Sequence, residues 1–342
     1  MKLAHFVLIL IIIGLPTLSN AQQKEVIAEK GDGIYKLLTR NGLSFSEYNN
    51  AFIELNKNKL GKNNTLLAGT KYALPDVTAT KTPKLTESAT LTTNNTKTVK
   101  TFDIFGAAYK DVEITGNELN GAVYYLVSGH GGPDPGAIGK YGNQTLCEDE
   151  YAYDVTLRLA RSLIQQGATV YMITIDPNDG IRDDNIIKSD NDEVCYPNLT
   201  IPLNQLKRLK QRTDAVNNLY NKNKNAFQRM ICIHVDSRSH GENIDVFFYH
   251  DRRSNTGEKT ARILQKTFQD KYNTNQPGRG YKGTVSARNL YELQNSYPVA
   301  VFIELGNINH LRDQQRFIIA NNRQALANWL LQGLITDFQT NK

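Results

Sequence analysis

Short unbroken apolar runs alternate along this chain with longer segments whose apolar side chains recur every three or four positions. Runs at 123–128, 169–175, 229–235, 244–249 and 299–303 read as buried strands. Segments 150–166, 204–222, 257–271 and 312–335 carry the helical period. The alternation predicts an α/β fold with a mostly parallel central sheet and helices on both faces. Segment 104–114 predicts a leading hairpin. Further forward, Ile34, Leu37 and Leu38 share one helical face and Phe52 and Leu55 another, with short strands implied at either end. Residues 25–75 thus predict a small βααβ unit. Residues 76–101 are rich in Thr, Lys, Asn and Ser, with too little apolar surface to fold, and read as a flexible linker.

The first 21 residues have their own pattern: a short basic start, the apolar core Phe6–Ile13, and small residues up to Ala21. This predicts a secretory signal peptide, and hence an exported protein of the periplasm or cell envelope. The apolar run is too short to span a bilayer, so no stable membrane insertion is expected after cleavage. The 342 residues leave room for two domains. A formal net charge of +6 suggests an anionic partner. The basic residues are scattered, with no tract interleaved with aromatics, so nucleic acid is not expected and a polyanionic envelope accounts for the charge. The three cysteines leave at least one unpaired. Cys232 lies inside an apolar strand and reads as a small buried hydrophobe. Cys147 and Cys195 lie in settings where a disulfide is an open alternative.

Chemistry concentrates where the strands end. The first strand runs into Ser128-Gly129-His130-Gly131-Gly132-Pro133-Asp134-Pro135-Gly136-Ala137, a loop dense in Gly and Pro that holds one imidazole. A second strand carries His234 near its carboxyl end, and a third ends in Glu304-Leu305-Gly306. In an open α/β sheet this edge is where ligands gather. A carboxylate at the end of an apolar strand is costly unless it is paired, metal-bound or catalytic. Leu146-Cys147-Glu148-Asp149-Glu150 adds carboxylates at the start of the helix that runs to Gly167. Two imidazoles and one carboxylate, with a fourth position for water, form a common catalytic zinc set, and a second Glu nearby would serve as general base.

From about Ala122 to Phe338 the chain resembles the zinc-dependent N-acetylmuramoyl-L-alanine amidases of the third amidase family, which are cell-wall hydrolases. The resemblance rests on the glycine-rich loop around His130, on Glu148-x-Glu150, on Arg212 with Asn217, on His234 and on Glu304-Leu305-Gly306. It implies a catalytic domain over 102–342, Zn2+ held by His130, Glu148 and His234, and Glu304 as the catalytic residue. Glu150 stays open as the alternative ligand. The resemblance also implies that Asp134, Arg212 and Asn217 serve the substrate, peptidoglycan with its glycan strands and stem peptides. The bond cut would join the lactyl group of N-acetylmuramic acid to the first L-alanine. Residues 25–75 resemble a LysM glycan-binding domain, through Gly31-Asp32-Gly33-Ile34, Glu54-Leu55-Asn56 and Gly69-Thr70-x-Tyr72-x-Leu74-Pro75. Two other readings use the same residues: another exported zinc hydrolase, such as a carboxypeptidase or glycan deacetylase, and a non-catalytic peptidoglycan-binding protein. Some relatives carry a helical plug between the second His strand and the Glu strand. Here residues 269–283 are polar and rich in Gly and Asn, so an open site is expected.

Overall fold

Twin apolar faces on one sheet organise the larger part of the molecule. The computed structural model describes residues 24–75 except 31, 44, 62 and 63, and residues 98–342 except 238–242. The signal peptide and almost all of the linker read from the sequence lie outside the described residues. The chain divides into two compact units, 1–89 and 90–342.

The first unit runs β1 (Glu25–Ile27), α1 (Ile34–Arg40), α2 (Phe45–Asn56) and β2 (Lys71–Ala73), with β1 and β2 antiparallel. Leu37, Leu38, Phe52, Tyr72 and Leu74 form its core. Asn56 closes the unit: its side-chain amide donates to the carbonyls of Phe52 and Ala73, and its Oδ1 accepts from the Ala73 amide.

The second unit opens with a hairpin of β3 (Val99–Thr101) and β4 (Asp111–Glu113). Then follow β5 (Ala122–Ser128), the hairpin β6 (Ile138–Tyr141) and β7 (Gln144–Cys147), α3 (Glu148–Gln165) and β8 (Thr169–Met172). The polar stretch after β8 contains β9 (Thr174–Ile175), β10 (Val194–Cys195) and β11 (Leu199–Thr200), which make a small antiparallel sheet. The chain continues through α4 (Gln205–Lys222), β12 (Phe227–Asp236), β13 (Phe247–His250), α5 (Asn255–Asn275), β14 (Val285–Ala287), α6 (Tyr291–Asn295) and β15 (Val299–Asn307). It ends with α7 (Leu311–Ile318) and α8 (Ala320–Asn341).

The central six-stranded sheet has the order β14-β13-β15-β12-β5-β8. β8, β5, β12 and β15 are mutually parallel, while β13 pairs antiparallel with β15 and parallel with β14. The fold is therefore mixed α/β with a mostly parallel sheet. Both faces are buried, which is why the strands read as continuous apolar runs. In β5, Ala122, Tyr124 and Leu126 join the larger core with residues of α3, α5, α7 and α8, and Val123, Tyr125 and Val127 join the smaller core with residues of α4. α5 extends to Asn275, further than its period suggested, and buries Ala261, Leu264, Phe268 and Tyr272. The segment 312–335 is two helices, α7 and α8, parted by extended backbone at Ile319.

Candidate active site

The ladder sets the first two groups. β12 and β15 are parallel neighbours in which His234 stands opposite Glu304, and Ile233 stands opposite Ser128 at the end of β5. The three strands thus deliver their polar ends to one edge. Beyond Ser128 the backbone turns through His130, whose φ of 62° is left-handed, with Gly131 and Gly132 also at positive φ. Gly129 and Gly136 make the loop's close packing possible. A Cβ on Gly129 would lie 2.2 Å from the His234 ring, and one on Gly136 would lie 2.7 Å from both Glu148 and the His130 ring.

Glu148 opens α3 and joins the two histidines. Its Oε2 lies 3.2 Å from His130 Nε2 and its Oε1 lies 2.9 Å from His234 Nδ1. Both oxygens are also held by backbone, accepting from the amides of Ala137 (2.8 Å) and Val235 (2.9 Å). Burial opposes ionisation of this carboxyl, yet the two histidines hold it well below the usual carboxylate range. Burial likewise opposes charging of His130, and the hydrogen bonds to Asp134 and Glu148 outweigh it, raising the imidazole to about 10.

Asp134 holds the other edge of the His130 ring, with Oδ2 3.0 Å from Nδ1. Arg208 donates to the same oxygen at 2.5 Å, and the His130 bond keeps Asp134 strongly acidic. The Arg212 guanidinium donates to the His130 carbonyl. The His234 ring stacks on Phe302 with centroids 4.1 Å apart, which fixes its plane. Glu304 is partly accessible, but its Oε2 is buried and has no hydrogen-bond partner, and neither has His234 Nε2. Burial first, then the charges of Glu148 and Asp236, push the Glu304 carboxyl well above its ordinary value.

His130, Glu148, His234 and Glu304 come together, and Asp134 and Arg212 lie beside them as supports of the His130 loop. Asn217 does not join them. Its side chain donates to the Asn295 carbonyl and accepts from the Tyr297 amide, tying α4 to the segment before β15, at the end of that strand remote from Glu304. A surface amide can serve a ligand or a neighbouring backbone, and here the backbone takes it. Glu150 also turns elsewhere, with Oε2 2.9 Å from Arg182 and Oε1 accepting from the Asp190 amide. All three cysteines are free and buried, so Cys147 and Cys195 form no disulfide. Sequence reasoning passed over Arg208, although it lies one helical turn before Arg212 and so shares its face.

A family model for N-acetylmuramoyl-L-alanine amidases matches residues 125–336. The chain belongs to this family. It is accordingly an amidase of peptidoglycan, and its action lies at the cell envelope. Among solved structures, an N-acetylmuramoyl-L-alanine amidase from Clostridium difficile 630 is 19% identical, with a TM-score of 0.47, over 66% of this chain and 100% of that one. The catalytic domain of CwlV, from Bacillus (Paenibacillus) polymyxa var. colistinus, is also 19% identical, with a TM-score of 0.46, over 65% of this chain and 99% of its own. Ami1 from Mycobacterium smegmatis is 15% identical, with a TM-score of 0.47, over 65% and 99%. No curated protein matches the chain. Among the described residues of this amidase, no helix is long and apolar enough to cross a membrane.

Proposed function

We propose that this amidase works with a single catalytic Zn2+ held by His130, Glu148 and His234, with Glu304 as the group that moves the proton. The observation that carries the reading is the Glu148 carboxylate set between two imidazoles, with Glu304 opposite His234 on the next strand. The donor set suits zinc: two nitrogens and one oxygen, all within 4.8 Å of one another. Each imidazole has a nitrogen within 3.2 Å of a Glu148 oxygen, Oε2 for His130 and Oε1 for His234. When bound, zinc lowers the pKa of a water and polarises the scissile carbonyl.

The chain's own residues do the rest. Asp134 accepts from His130 Nδ1, which fixes the ring so that Nε2 faces Glu148, and Arg208 donates to the same Asp134 oxygen and holds it in place. Glu304 takes the proton of the attacking water as its oxygen bonds to the lactyl carbonyl carbon. It then delivers that proton to the alanine nitrogen as the carbon–nitrogen bond breaks. The unpartnered Oε2 supports this role, since no other group competes for it. The β1–α1–α2–β2 unit is proposed to hold glycan in the manner of a LysM domain, raising the local concentration of the enzyme on its polymer. The leader at the N-terminus supports export.

Glu304→Gln should keep zinc and fold while turnover falls by about a hundredfold or more. Glu148→Ala should lose zinc and activity together, whereas Glu150→Ala should keep its zinc. Elemental analysis reads the first property, and mass spectrometry of digested peptidoglycan reads the second. Stem peptides beginning with L-alanine are the expected product. Peptides shortened from the other end, or deacetylated sugars, would replace the amidase reading with another zinc hydrolase.

A further inference from the structure

We propose that Asp149, Glu150 and Glu193 form a second metal site, taking a hard divalent cation of the calcium class, beside the histidine pair and separate from it. Each residue offers a carboxylate oxygen, and the three oxygens lie within 4.8 Å of one another. All three side chains are buried, so water does not screen their repulsion. Glu150 has one counter-charge, the Arg182 guanidinium, which is itself shared with Asp179. One guanidinium, shared with Asp179, faces the three carboxyl groups, and a divalent ion would add positive charge among them.

The hydrogen bonds show where a ligand is wanted. Glu150 Oε1 takes the Asp190 amide at 3.0 Å, and Glu193 Oε2 takes the Gly132 amide at 2.6 Å. Asp149 Oδ1 takes the Glu150 amide at 2.9 Å. Asp149 is only 2% exposed, and its Oδ2 has no partner at all. An unsatisfied carboxylate oxygen in the interior is costly unless something binds it, and here it belongs to the residue that shares a cluster with two other carboxylates.

The donors select the ion. An all-oxygen set without imidazole or thiolate favours a hard cation over zinc. Ca2+ accepts carboxylate and carbonyl oxygens in flexible arrangements, whereas Mg2+ demands near-ideal octahedral geometry and gives up its waters reluctantly. The ion would join three pieces of chain: the first turn of α3, the segment entering β10, and, through the Glu193–Gly132 bond, the loop that carries His130. It would brace that loop without touching substrate. This inference stands whether or not the histidine pair holds zinc.

The test uses the purified protein carrying its own zinc, freed of other metals on a chelating resin and titrated with CaCl2. Calorimetry and elemental analysis should find one Ca2+ per chain beside the zinc, and the melting temperature should rise with Ca2+. Asp149→Asn and Glu193→Gln should each weaken Ca2+ binding by at least about tenfold while zinc content stays at the wild-type value. Glu193 lies far in sequence from the histidine ligands, so its variant separates loss of this site from damage to Glu148. Circular dichroism checks that each variant is folded. If folded wild-type protein takes up no Ca2+, Mg2+ or Mn2+ at millimolar concentration and its melting is unmoved, the site is refuted. Ca2+ binding that survives both substitutions refutes it equally.

Discussion

At the scale of single residues, the site is built by what is missing as much as by what is present. His130 sits at φ 62°, a conformation that L-residues adopt at a cost, and Arg212 secures it through the His130 carbonyl. Gly129 has no side chain because the His234 ring occupies that space. Gly129→Ala should displace the ring or the strand end by a sizeable fraction of an ångström. Activity should then fall by about a hundredfold, the usual result of misplacing a reacting group on that scale, and zinc affinity should fall with it. Near-normal turnover with full zinc occupancy would show that the ring has room to move. The sequence alone pointed to His130, His234 and Glu304, because a polar residue ending an apolar run stands out. It left Glu148 and Glu150 unresolved, since adjacent carboxylates in a first helical turn look alike until their partners are seen.

At the scale of elements, α3 and α8 are joined by a buried charge cluster that also anchors the long polar stretch before α4. Asp154 on α3 accepts from Arg158 (2.7 Å) and from Arg323 on α8 (2.6 Å), and its Oδ1 takes the Arg182 amide at 2.8 Å. Both arginines then donate to the Arg182 carbonyl. Burial works to raise the Asp154 carboxyl, but Arg158 and Arg323 overcome it and hold it below its ordinary value. Burial lowers Arg323, with Asp154 opposing, as expected where two guanidiniums share one carboxylate. A carboxyl with a depressed folded value stabilises the fold above its unfolded pKa of about 3.9 and loses that contribution as pH falls below it. Asp154→Asn should therefore cost about 3–5 kcal/mol at pH 7, and the gap to wild type should begin to narrow as pH falls below about 4 and close only below the depressed folded value. Denaturant unfolding across that pH range measures it, and a gap independent of pH would exclude the ionic origin.

Other features of the elements were legible only in part. The strands could be read because burial on both faces leaves unbroken apolar runs, but such a run carries no direction. The reversal of β13 against β15 was therefore invisible. The break between α7 and α8 falls at Ile319, in a stretch without Gly or Pro, so no local signal marks it. The bonds of Asn217 were hidden for a similar reason, because they depend on where the Asn295–Tyr297 backbone lies.

At the scale of the molecule, access to the site depends on what the chain between β12 and β15 does. Its long helix, α5, packs its apolar face against α8 and β13 and contributes to the larger core. A helix committed in this way is not available as a plug. Purified protein with full zinc should therefore digest peptidoglycan without a second protein. Inert enzyme that awakens only on adding a partner would overturn this expectation.

The pairing of His234 with Glu304 has one more consequence. Neighbouring strands keep a spacing of about 4.8 Å whatever side chains they carry, so the gap between His234 and Glu304, the proposed metal ligand and the proposed proton-transfer group, is gauged by main-chain hydrogen bonds. Loops rooted at the strand ends can be lengthened, exchanged or recoloured for a new cell wall while that gauge stays fixed. Selectivity and chemistry are thereby free to evolve on separate parts of the chain.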